Sequence, residues 1–146
     1  MALLTPDHVI VDSHAPTKKA IITELAQSIQ SIDPDQVLEV VMARERLGST
    51  GIGHGVAIPH GRIHDLLHPI VAVARHQRGV DFEAIDGEPV HIVVLLLVPD
   101  DDNRQHLELL AHLARLLQQP NFRAQIMDAA DAESLAALFP EMASTS

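Results

Sequence analysis

Ile92-Val93-Val94-Leu95-Leu96-Leu97-Val98 is the longest apolar run in the chain. It follows the turn signal Asp86-Gly87 and stops at Pro99 and three aspartates. Seven residues fall far short of the roughly 20 needed to cross a bilayer. They suit a strand buried on both faces, which requires cover on both sides. A central strand over Val90 to Val98, with helices above and below it, is therefore the expectation from which the rest is read.

Working toward the N-terminus, Val80-Asp81-Phe82 reads as a short strand or edge piece, Gln77-Arg78-Gly79 as a turn, and Ile70 to Ala74 as a strand. Pro16 to about Ser31 carries Ile21, Ile22, Leu25, Ala26 and Ile29 at helical spacing. A second helix is signalled by Asp33 as cap, Pro34 in the first position and Gln36 completing a capping box. It carries Val37 to Leu47 and ends at Gly48. Thr5-Pro6-Asp7 is a turn before a first strand, Val9-Ile10-Val11. Beyond the central strand, Asn103 to Gln118 has one apolar stripe, from Leu107 to Leu117, with Pro120 past its end. Shorter helices over Asn121 to Ala129 and Ala132 to Phe139 follow, and Glu141 to Ser146 is expected to fray. The order predicts an α/β fold: one domain over 1–146, a mixed, roughly five-stranded sheet sandwiched between helices on both faces.

Composition narrows the chemistry. The chain has no cysteine, so disulfides, thiolate catalysis and Cys-ligated metals are excluded. A formal net charge of −10, with three Phe and no Tyr or Trp, argues against a nucleic-acid partner. No basic segment leads into a long apolar one near the N-terminus, which points to a cytoplasmic chain without membrane insertion.

The stretch built for chemistry is Gly48-Ser49-Thr50-Gly51-Ile52-Gly53-His54-Gly55-Val56-Ala57-Ile58-Pro59-His60-Gly61-Arg62. Five of its fifteen residues are Gly, in a protein that has seven. Such a density would let backbone N–H groups turn inward around an anion. Pro59 stiffens the approach to His60. A neutral imidazole is a good phosphoryl acceptor, and its N–P bond stays labile enough for onward transfer. Backbone N–H groups around Gly51 and Gly53, the hydroxyls of Ser49 and Thr50 and one cation would hold the oxygens. Taken alone, His60 reads more often as an ordinary turn histidine. Neither a Walker ending nor a Rossmann fingerprint is present, which disfavours nucleotides. A rival is a metal hydrolase, because His60, His64 and His68 would share one face of a helix. Gly61 and the lack of an H-E-x-x-H motif count against it. On spacing alone His106 reads as an exposed helix histidine, and Arg44-Glu45-Arg46 and Asp100-Asp101-Asp102 as solvated surface.

Arg44-Glu45-Arg46-Leu47-Gly48-Ser49-Thr50-Gly51-Ile52-Gly53, followed by Val56-Ala57-Ile58-Pro59-His60-Gly61, resembles the phosphotransferase-system enzyme IIA domain of the fructose/mannitol type. Phe82 to Val90, Leu97-Val98-Pro99 and His106-Leu107 continue the likeness, which is greatest to the free-standing nitrogen-regulatory branch. The resemblance implies that His60 is phosphorylated by an HPr-like phosphocarrier and acts in a regulatory phosphorelay. It implies that His106 lies beside His60, orienting it or donating to the phosphoryl group, and that Arg44 and Ser49 belong to the site. It also implies no metal and no organic cofactor. A sugar-type IIA component that passes phosphate to a separate IIB protein is the alternative. His54 departs from the small polar residue expected there, and leaves open a contact of His54 with the phosphoryl group.

Overall fold

The computed structural model describes residues 3–100 and 103–140. In chain order the elements are β1 (Val9–Ile10), α1 (Lys18–Ser28), α2 (Pro34–Glu45), β2 (Gly51–Gly53), β3 (Val56–Ala57), β4 (His60–Ile63), β5 (Ile70–Val80), β6 (Val90–Pro99), α3 (Asn103–Leu117), α4 (Pro120–Asp128) and α5 (Ala132–Ala137). The turn before β1 is a 3-10 helix, Pro6–His8. Residues 141–146, expected to fray, and Asp101 and Asp102 of the aspartate run lie outside the described residues.

The central-strand reading holds. β6 pairs antiparallel with β5 on one side and parallel with β3 and then β4 on the other. β1 lies parallel outside β5, and β2 antiparallel outside β3. Side chains along β6 alternate between two cores, as the strand period of two requires. Val93, Leu95 and Leu97 pack with Ile21, Ile22 and Leu25 of α1 and Val37 and Val41 of α2. Val94, Leu96 and Val98 pack with Leu113 and Leu117 of α3, Phe122 and Ile126 of α4 and Leu135 of α5. The sandwich is thus as expected, but the sheet has six strands. The count differs because the Gly-rich stretch, read as a loop, contributes three short ones.

Helix starts follow their caps. Thr17 Oγ1 accepts from Ala20 N at 3.1 Å, so α1 begins at Lys18 and not at Pro16. Asp33 accepts from Asp35 N at 3.0 Å, with Pro34 first in α2. Pro120, expected merely to lie past α3, starts α4. The turn expected at Gln77-Arg78-Gly79 is instead a bulge within β5, where the register shifts between Arg75 and Val80. His76 holds it: its Nδ1 accepts from Gly79 N at 3.0 Å, and its Nε2–H donates to the Ala15 carbonyl at 2.9 Å.

A buried arginine ties the second core together. Arg75 shares a β5 face with Val71 and Val73 and is 8% exposed. It donates to the Val11 carbonyl and to the Ile126, Met127 and Ala129 carbonyls at the end of α4. They lie at the end of α4, where intrahelical donors run out and the Ile126 carbonyl accepts also from Ala129 N at 3.4 Å, and a cation suits that end of the dipole. Arg75→Met keeps the stem but takes the guanidinium away from the Val11, Met127 and Ala129 carbonyls. It is expected to cost about 3 kcal/mol in urea unfolding; a loss below about 1 kcal/mol would contradict this role.

Candidate functional site

His60 opens β4, and its backbone is clamped on both sides. Ile58 N donates to the Thr50 carbonyl at 3.0 Å, and Leu96 N of β6 donates to the Pro59 carbonyl at 3.0 Å. The half-buried ring turns back on its own chain: Nδ1–H donates to the Ile58 carbonyl at 2.8 Å. That bond selects the tautomer with a lone pair on Nε2. Burial lowers the His60 pKa below the usual histidine value, and the nearby Arg44 charge lowers it further. The Ile58 bond and the Glu45 carboxylate oppose this without reversing it. At neutral pH the imidazole is uncharged and nucleophilic.

His106, from the first turns of α3, sets its ring edge-on to His60, with centroids 5.4 Å apart and planes at 66°. It is 7% exposed, so the reading of an exposed helix histidine fails. Neither ring nitrogen has a hydrogen-bond partner among the described residues. Burial lowers its pKa too, followed by the effects of His60 and Arg62. Two buried nitrogens without partners among the described residues are costly in the resting state, and are chemically able to donate to or accept from an incoming group.

The other residues expected at the site divide. Arg44, in the last turn of α2, is near enough to act on His60 electrostatically, while its Nη1 donates to the Gly48 carbonyl at 2.9 Å. The two hydroxyls expected to hold phosphoryl oxygens are committed elsewhere. Ser49 Oγ donates to the Phe82 carbonyl at 2.6 Å and accepts from Gly51 N at 3.0 Å. Thr50 is buried, and its hydroxyl donates to Glu45 Oε1. Gly51 and Gly53 are laddered to β3, opposite Ala57 and Val56, and form no anion cradle. His54 and Gly55 are the two-residue turn of this hairpin, with φ of 57° and 78°. Turns of that type need positive φ at both positions, which explains the glycine and tolerates histidine. The turn sits at Ile92, four residues along β6 from Leu96, the partner of His60. That is about 13 Å of strand. His54 is therefore away from His60, and so is Gly53 beside it.

The helical spacing of His60, His64 and His68 loses its premise, because His60–Ile63 is a strand. His64 is exposed between Asp100 at 3.1 Å and Asp65 at 3.4 Å, and its hydrogen bond to Asp100 raises its pKa. His68 is exposed in the loop before β5.

Sequence reasoning missed Glu45. Read as solvated, its side chain is 2% exposed and pairs with Lys18 Nζ at 3.0 Å. It also accepts from Thr50 N at 3.2 Å, and Lys18 in turn lies over the Phe82 ring. A signal existed: a carboxylate in the last turn of a helix opposes the dipole and needs a partner. Glu45, Lys18 and Ser49 line an open groove of about 710 Å³ that includes neither histidine.

A family model described as "Phosphoenolpyruvate-dependent sugar phosphotransferase system, EIIA 2" matches residues 2–142. The chain belongs to this family. Among relatives of this EIIA 2 chain is the nitrogen regulatory protein of Pseudomonas aeruginosa, 38% identical over 91% of this chain and 89% of that protein. The crystal structure of the nitrogen regulatory protein IIA-Ntr from Neisseria meningitidis superposes with a TM-score of 0.87, at 37% identity, covering 93% of this chain and 95% of that one. A fructose-specific EIIABC component of Bacillus subtilis is 31% identical over 91% of this chain, but only 22% of its own length is covered. The EIIA 2 chain is a phosphoryl carrier of the phosphotransferase system, nearer to these nitrogen-regulatory proteins than to that sugar component. No helix among its described residues is long and apolar enough to cross a membrane.

Proposed function

We propose that the EIIA 2 chain carries its phosphoryl group on His60 Nε2, received from an HPr-like phosphocarrier in the cytoplasm, with residues 1–146 acting as one domain. The observation that carries this reading is the His60 ring itself, its tautomer set by Ile58 and flanked by His106, whose ring nitrogens have no partner among the described residues. Nε2 attacks phosphorus as the carrier's N–P bond breaks, and the carrier nitrogen keeps the electron pair. The proton on His60 Nδ1 stays there, donated to the Ile58 carbonyl. Phosphoryl transfer needs positioning and electrostatic support, with little further covalent chemistry. His106 donates to an oxygen of the arriving group, and Arg44 supplies positive potential. Ser49 and Thr50 act indirectly, by holding the chain before Ile58. No metal or organic cofactor enters these steps.

The likeness to nitrogen regulatory proteins supports a regulatory output. Adding about −1.5 to −2 charges at His60 changes which partners the surrounding face accepts. A IIB acceptor is the competing destination, supported by the fructose-specific relative.

Incubation with a phosphorylated HPr-like carrier is expected to place one acid-labile phosphoryl group on His60 by mass mapping, and none on His60→Ala. Labelling that persists in His60→Ala would refute the assignment. Acceptance requires neutral His60, so its rate rises with pH through the lowered folded pKa and levels off above it. The acid limb is therefore expected below that of a free imidazole; a limb at or above the free value would contradict the burial argument.

A further inference from the structure

Strand alternation decides which side chains share the face of His60. A Cβ on Gly61 would lie 2.5 Å from Val40 Cγ1, and Ile63 packs with Val37 and Val41, so these two positions face α2. His60 and Arg62 face the other way. They are in register with Leu96 and Val98, which belong to the core under α3. His106 descends from α3 onto this side. Two residues along a strand put the His60 and Arg62 Cα atoms about 6.6 Å apart, within reach of a long flexible side chain.

Arg62 is also uncommitted. It is exposed, and no carboxylate lies within ion-pair distance of it among the described residues. Arg44 by contrast is engaged with the Gly48 carbonyl, and Arg104 with Glu108 at 3.2 Å. The charge of Arg62 already acts on His106. In a chain of net charge −10, a dianionic group arriving at a half-buried imidazole needs local positive potential.

We propose that Arg62 is a catalytic cation of this site, its guanidinium donating to the equatorial oxygens of the phosphoryl group as it passes onto His60 Nε2. This rests on the reading of His60 as the acceptor. The bond that forms is His60 Nε2–P, and the one that breaks is the donor's N–P bond, whose electron pair stays with the donor nitrogen. Charge spreads over three equatorial oxygens during that exchange, and a planar fork of N–H donors matches two of them. Arg44 approaches from the end of α2 and Arg62 from β4 itself, so the group is held from two elements.

The test separates chemistry from docking by using two donors. Phosphoramidate, a small donor that needs no protein interface, and a phosphorylated HPr-like carrier are each reacted with wild type, Arg62→Gln and Arg62→Lys. Arg62→Gln is expected to slow His60 labelling by about 10- to 100-fold with both donors, less than the loss of a fully buried oxyanion donor. With the carrier the fall appears in the maximal rate and not in KM. Arg62→Lys recovers part of it, because the charge is kept and the fork is lost. Slowing with the carrier alone would make Arg62 a docking residue and overturn the proposal, as would unchanged rates with both donors. A wild type left unlabelled at His60 would overturn the His60 reading and this inference together; a labelled wild type with unaffected Arg62→Gln would overturn this inference alone.

Discussion

His106→Leu is expected to give a protein more stable to urea than the wild type and about 100-fold slower to accept a phosphoryl group. The two effects share one cause. The His106 ring is buried with neither nitrogen partnered among the described residues, and each stranded polar group costs about 1–3 kcal/mol. An apolar side chain of similar size removes that cost. It also removes the donor set edge-on to His60 at 5.4 Å. The gain in stability marks a site strained in the resting state and relieved by its ligand. Urea unfolding and single-turnover labelling check the pair; a less stable variant with unchanged transfer would show that His106 is ordinary packing.

Glu45→Ala is expected to cost about 3–5 kcal/mol, because it breaks a buried ion pair by removing one partner. Lys18 loses its 3.0 Å contact, and the Thr50 hydroxyl and N–H lose their acceptor. The damage reaches the site through a short path. Thr50 carries the carbonyl that holds Ile58, and the Ile58 carbonyl in turn holds the His60 ring. Glu45→Gln keeps an acceptor for Thr50 and is expected to lose less. Chemical denaturation of both variants decides it: a Glu45→Ala loss under about 1 kcal/mol, the range of an exposed pair, would show that the contact contributes little.

Much of the architecture was legible because local chemistry and burial agreed. Seven apolar residues before Pro99 could only be covered on both sides, and Asp33-Pro34 starts α2 as its chemistry requires. The α3 stripe holds only at its end, where Leu113 and Leu117 are buried, whereas Leu107 is 63% exposed and Ala111 is exposed, with His106 turned inward instead. The glycines misled for a physical reason. A backbone that turns around an anion and one that turns between two short strands need the same conformational freedom, so composition does not separate them. The β3 ladder chose the hairpin, which pairs Gly51 and Gly53 with Ala57 and Val56 and puts His54 in its turn.

His60 could be singled out from its neighbours in the chain, because Pro59 and the apolar run before it act locally. Its partners could not be derived that way. His106 reads as solvent-facing on α3 until the helix is laid on β6, and Glu45 reads as surface until α1 brings Lys18 to it. Arg62 joins them only once residues 60–63 are a strand, since alternation places it on the face of His60 and a loop would place it nowhere in particular. Periodicity and caps thus set most of the elements, and local chemistry singled out His60. The sheet register and the packing of α2 and α3 decided what surrounds it, because those contacts join residues up to 46 positions apart, from His60 to His106, that no local pattern relates.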